Sequence, residues 1–94
     1  MINIVWSSRF VRAFKKIIKQ KPYLKSEIIG AIKLLQDDIF HPKLYTHKLK
    51  GPLTGCWTCS VEYDVRIVFE IEENPYNHEQ EILLLSIGTH EQVY

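Results

Sequence analysis

The chain has 94 residues, 46% of them hydrophobic and 24% charged, enough for one packed core and too few for two; that balance excludes a disordered or collagen-like chain. The net charge of +1 conceals an asymmetry, with eleven Lys and Arg against three Asp and Glu up to Lys50, then one Arg against eight acids from Gly51 onward. The longest apolar runs, such as Ile82 to Leu85, fall far short of the roughly 20 residues of a membrane span, and the N-terminus lacks a basic start followed by an apolar stretch. The expectation is one cytoplasmic domain over residues 1–94 without membrane contact.

Ile2, Ile4 and Trp6 alternate with Asn3 and Val5 as a short strand does, and the Ser7-Ser8 pair that follows is a helix N-cap signal. In the first predicted helix Phe10, Phe14 and Ile17 form one apolar stripe while Arg12, Lys15, Lys16 and Lys19 take the other positions; Lys21-Pro22 ends it. A second helix is predicted from about Tyr23 to Asp37-Asp38, with Leu24, Ile28, Ala31, Ile32 and Leu35 at helical spacing, forming a hairpin with the first. Ile39 to Leu53 shows no clean period and reads as a connecting loop with a short extended piece. From Gly55 the period becomes two: Trp57 to Tyr63, a tight turn near Tyr63-Asp64, a strand to Ile71, an acidic connector over 72–80, and a last strand from Ile82 to Ile87 ending at a Gly88 turn. The predicted fold is α+β: an N-terminal strand, a helical hairpin, then a three-stranded antiparallel meander, all strands in one mostly antiparallel sheet with the helices on one face. Function is expected on the other face.

Two cysteines, Cys56 and Cys59, have redox-pair or half-zinc-site spacing, but on a strand that spacing puts them on opposite faces, and no second Cys or His pair follows. They are expected to be buried or half-buried thiols. The basic half fits a polyanion such as RNA, and equally the solvated faces of two helices. Of four histidines, His41 before Pro42 and His78 in the acidic connector read as turn or surface residues. His47 lies in Thr46-His47-Lys48-Leu49-Lys50-Gly51, where the ammonium groups of Lys48 and Lys50 would hold a phosphate near a titratable ring. Arg66 is the one cation after Lys50 and shares strand parity with Asp64; it reads either as an ion pair with Asp64 or Glu62 or as a guanidinium fork for a phosphate. Thr89 and His90 follow Gly88, and Tyr94 closes the chain, an imidazole near an aromatic that could serve proton transfer and base stacking or simply close the core's edge.

Taken in order, His47-Lys48-Leu49-Lys50-Gly51, Asp64-Val65-Arg66-Ile67-Val68-Phe69 and Ile87-Gly88-Thr89-His90 with an aromatic shortly after resemble the RelE/ParE superfamily of bacterial type II toxins, in particular its RelE- and YafQ-like mRNA interferases. The resemblance implies a RelE-like fold and a toxin that enters the ribosome, cuts A-site codons of mRNA by attack of a ribose 2′-OH, uses neither metal nor other cofactor, and is neutralised by a cognate antitoxin in a toxin–antitoxin hetero-oligomer. It also implies roles: His47 or Asp64 as base, His90 as acid, Arg66 as stabiliser of phosphorane charge, Tyr94 for orientation or stacking. Ser60 stands where YafQ-like toxins carry a histidine and RelE-like ones a lysine, and Ser86 where YafQ has an arginine; both are expected to face the RNA with fewer cations than the family pattern. The alternatives are a ParE-like toxin that binds DNA gyrase without cutting anything, and a decayed toxin that keeps only antitoxin binding.

Overall fold

The computed structural model describes residues 2–51, 55–62 and 64–89. The elements follow in the order β1 (Asn3–Trp6), α1 (Ser8–Gln20), α2 (Leu24–Asp37), a single 3-10 turn (Pro42–Leu44), β2 (His47–Lys48), β3 (Trp57–Ser60), β4 (Val65–Glu73) and β5 (Gln80–Thr89). Ser7 sets the start of α1: its hydroxyl accepts the Phe10 N–H at 3.0 Å, satisfying one of the donors that a helix start leaves without a partner. Lys21 closes the helix by donating its N–H to the Ile17 carbonyl, 2.9 Å, before Pro22 breaks the chain direction. α2 follows its apolar spacing, with Leu24, Ile28, Ala31, Ile32 and Leu35 all buried. Among the described residues no helix is long and apolar enough to cross a membrane.

The sheet has five strands in the order β1-β5-β4-β3-β2, antiparallel except where β1 joins β5 in parallel. This is the expected α+β arrangement of strand, helical hairpin and antiparallel meander, with β2 added at the far edge. The core lies between the helices and one sheet face: Phe10, Leu24, Ile28 and Leu35 pack against Cys59, Ile67, Phe69, Ile82 and Leu84. Trp6 stands edge-on to Phe10 and Phe14, with ring centroids 5.1 and 5.2 Å away.

Two local readings are corrected. The strand expected to reach Tyr63 stops at Ser60, because Val61 donates its N–H to the Val65 carbonyl at 2.9 Å and closes a turn there. Gly88 is a strand residue rather than a turn, paired with Arg66, and β5 runs on to Thr89 opposite Val65. The short extended piece expected in the loop after α2 is β2, which pairs His47 with Thr58 and Lys48 with Trp57. β5 also carries a bulge: Val68 pairs with Ser86 but Phe69 with Leu84, so Leu85 is the extra residue. Leu84 and Ile87 are three positions apart, an odd spacing that a regular strand would send to opposite faces; the bulge lets both be buried.

Candidate active site

The register that aligns β2, β3 and β4 also aligns the chemistry. His47 is opposite Thr58, Ser60 is two residues further along β3 and hence on the same face, and Ser60 is opposite Arg66, which is opposite Gly88. His47, Ser60 and Arg66 line one hollow of about 580 Å³ together with Lys43, Tyr45, Val61 and Glu62. Opposite His47, Thr58 is fully buried and donates its hydroxyl to the Ile67 carbonyl at 3.1 Å, so its buried polar group is satisfied.

The loop before β2 holds His47 in place. His41 accepts the Lys43 N–H on its Nδ1 at 3.1 Å and caps the 3-10 turn, the turn role expected for it. Leu44 is then buried, and Tyr45 adopts a left-handed backbone (φ 50, ψ 40) that turns the chain back along β3. A non-glycine residue in that region carries a steric cost of about 1–2 kcal/mol. The reversal brings the Tyr45 carbonyl within 2.8 Å of His47 Nδ1. A carbonyl only accepts, so His47 donates from Nδ1, and the neutral ring keeps its lone pair on Nε2. Arg66 is half-buried and donates from Nη1 to the carbonyls of Glu62 at 3.1 Å and Val65 at 3.3 Å, which anchors its guanidinium at the mouth of the β3–β4 turn. The Glu62 carboxylate accepts from the Tyr23 hydroxyl at 3.2 Å.

The thiols are unsuited to nucleophilic work. Burial pushes Cys59 up to about 12, with Arg66 offsetting only part of the shift, and partial burial together with the Glu70 charge raises Cys56. Cys59 is buried and Cys56 half-buried, and both are free. Among the described residues no group of three or more His, Cys, Asp or Glu could hold a metal ion.

The other residues named from sequence are dispersed. Lys48 points to the opposite sheet face, its Nζ 5.3 Å from the Trp57 ring centroid. Lys50 is exposed beyond β2, and Asp64 is exposed in the turn before β4. Ser86 lines a separate hollow of about 270 Å³ with Arg9, Lys16 and Gln20 of α1. His90 and Tyr94 lie outside the described residues. Lys43 and Tyr45 were not singled out from sequence although both line the hollow; the available signal was an exposed aromatic interleaved with the basic run that holds His47.

A family model for the bacterial toxin of type II toxin–antitoxin systems, YafQ, matches residues 2–94. The chain belongs to the YafQ toxin family. It thereby sits in the YafQ branch of the RelE/ParE superfamily, and solved structures share its fold. A copper-bound mutant toxin from Helicobacter pylori superposes with a TM-score of 0.80 at 22% identity, covering 100% of both chains. A metal-bound toxin from Helicobacter pylori gives 0.78 at 25% identity, again over 100% of both. YafQ from Escherichia coli BL21(DE3) gives 0.78 at 14% identity, covering 100% of this chain and 99% of that one. Among curated protein sequences none matches the chain.

Proposed function

We propose that this YafQ-family toxin is a ribosome-dependent endoribonuclease that cuts mRNA at A-site codons in the cytoplasm. The observation that carries the reading is His47 held through Nδ1 by the Tyr45 carbonyl, in the same hollow as the Arg66 guanidinium. RNA cleavage by the 2′-OH needs a base for that hydroxyl and a cation for the charge that builds on phosphorus. In this reading His47 Nε2, or the Asp64 carboxylate, takes the 2′-OH proton. The oxygen attacks the adjacent phosphorus, the P–O5′ bond breaks, and the products are a 2′,3′-cyclic phosphate and a 5′-hydroxyl. His90 returns a proton to the leaving 5′-oxygen. Arg66 stabilises the phosphorane, while Tyr94 orients or stacks on a base. Ser60 sits beside Arg66 as a neutral hydrogen-bonding group, Lys48 and Lys50 supply charge for the incoming backbone, and Ser86 supports a more distant stretch of RNA beside α1. The chemistry calls for no metal. Tyr45, 73% exposed at the rim, offers a flat apolar face to an unpaired base.

The partner proposed alongside the ribosome and mRNA is a cognate antitoxin, with which the chain forms a hetero-oligomer. A likeness to the Escherichia coli DinJ–YafQ toxin–antitoxin complex supports it, with a TM-score of 0.75 at 18% identity over 99% of this chain and 97% of that one.

Primer extension on a reporter message during brief induction tests the reading. Wild type is expected to leave discrete in-frame cuts, and Arg66→Ala to reduce their rate by about a hundredfold. Growth arrest with intact message would overturn the nuclease reading and point to gyrase.

A further inference from the structure

On the other side of edge strand β2 lies an aromatic cluster that the hollow does not use. Phe40 is a large apolar side chain left 59% exposed. Its ring stands edge-on to Trp57, centroids 5.4 Å apart at 71°, and Lys48 Nζ lies over the same indole at 5.3 Å. The exposure is not that of a loose loop. The Phe40 N–H is held by the Asp38 carboxylate at 3.2 Å, the His41 N–H by the Asp38 carbonyl at 3.1 Å, and the neighbouring Ile39 carbonyl accepts the Thr46 hydroxyl at 2.6 Å. Hydrogen bonds on both sides thus fix the main chain that presents the ring to water. A rigidly presented aromatic beside a cation is the arrangement that single-stranded nucleic acid uses: every base has a π-face to stack, and the ammonium meets the phosphate.

We propose that Phe40, with Trp57 and Lys48, forms a stacking subsite for an unpaired RNA base next to, but not at, the bond being cut. The proposal rests on the endoribonuclease reading of the hollow. His47 and Lys48 are consecutive residues of β2 whose side chains alternate across the sheet, so hollow and platform lie on opposite faces and meet around the edge that β2 forms. A strand leaving the hollow over this two-residue edge meets Lys48 and then the Phe40 ring. The positive charge of Lys43, Lys48 and Lys50 around that edge, combined with the bare ring, favours a polyanion carrying unpaired bases over an acidic protein surface.

The test uses 2′-O-methyl RNAs, which cannot supply the attacking hydroxyl, and the emission of Trp57 in a Trp6→Phe background that leaves it the one indole of the chain. Hexa-adenylate is expected to bind about tenfold more weakly to Phe40→Ala and Phe40→Leu, while Phe40→Tyr retains affinity and adenylyl-adenosine binds all forms alike. Phe40→Leu keeps apolar bulk without a π-face and guards against a folding artefact. Equal hexamer affinity for wild type and Phe40→Ala would overturn the subsite while leaving RNA binding by the hollow intact. A parallel loss for the dinucleotide would overturn it as a structural effect on the hollow. Loss of antitoxin binding in Phe40→Ala with hexamer binding unchanged would overturn it in favour of a protein-docking role, and no binding of hexamer by wild type would overturn both readings.

Discussion

Among the described residues, the turn that leads into β2 and the β4–β5 hairpin each contain one non-glycine residue with a left-handed backbone, Tyr45 (φ 50) and His78 (φ 60), and each has a histidine donating from Nδ1, yet they solve opposite problems. At the β4–β5 hairpin the polar groups turn on one another. Asn74 Oδ1 accepts from the N–H groups of Tyr76 at 2.8 Å and Asn77 at 3.3 Å, its amide donates to Glu81 at 3.0 Å, and His78 Nδ1 donates to the Glu73 carboxylate at 2.6 Å. At the β2 end the left-handed turn instead aims His47 into an open hollow shared with Arg66. Both turns carry the same backbone strain, so the difference lies in what they present: one satisfies its own polar groups, the other offers a titratable ring to a cavity.

The two histidines separate these regions most sharply. His47→Ala is expected to reduce message cleavage by about a hundredfold, the contribution of a positioned general base, with a thermal midpoint close to wild type because the ring is exposed. His78→Ala, exposed and paired only at the hairpin, should leave cleavage unchanged. Equal losses, read by primer extension, would erase the distinction between the ends. The reverse experiment is Asn74→Ala, which removes three side-chain bonds of the hairpin. It is expected to lower stability by about 1–2 kcal/mol, read as a drop in Tm of several degrees, with cleavage per folded molecule unaltered. A change in cleavage without a change in Tm would mean that the hairpin end takes part in function.

Much of the fold is legible in the sequence. The apolar period of Phe10, Phe14 and Ile17 and that of Leu24, Ile28 and Leu35 placed both helices, and the alternation through Val65, Ile67, Phe69 and Ile71 placed β4, because each element buries one face and the pattern records which. β2 was only a short extended piece in the sequence: two residues hold no period, and their pairing is decided by β3 across a loop. Gly88 read as a turn because a glycine ending an apolar run is usually punctuation, whereas here Arg66 and the rest of β4 continue the ladder past it. His47 and Arg66 could be named from their chemistry. That Ser60 lies beside them, that Ser86 lies apart beside α1, and that Tyr45 and Lys43 complete the hollow depend on register and on a left-handed turn, which are consequences of the whole sheet and not of any local pattern.

Cys59 asks whether the β2 end is as firmly closed beneath its hollow as the hairpin end is across its turn. It precedes Ser60 and pairs with Ile67, next to Arg66, but its thiol faces the core. Burial raises it from 9.0 to about 12. The protonated thiol is thus favoured by the fold: its contribution is fully present below about pH 9, where the unfolded thiol also keeps its proton, and is lost as pH climbs from there toward 12. Between pH 8 and 10, wild type should therefore lose about 1 kcal/mol more stability than Cys59→Val, measured by urea unfolding at both values. Iodoacetamide at pH 8 should label Cys56 in the folded protein and Cys59 only after unfolding. Native labelling of Cys59, or identical pH losses in both proteins, would mean that β3 opens locally under the hollow. The ends of the sheet would then differ in rigidity, and the orientation of His47 would be one state among several and not a fixed property of the site.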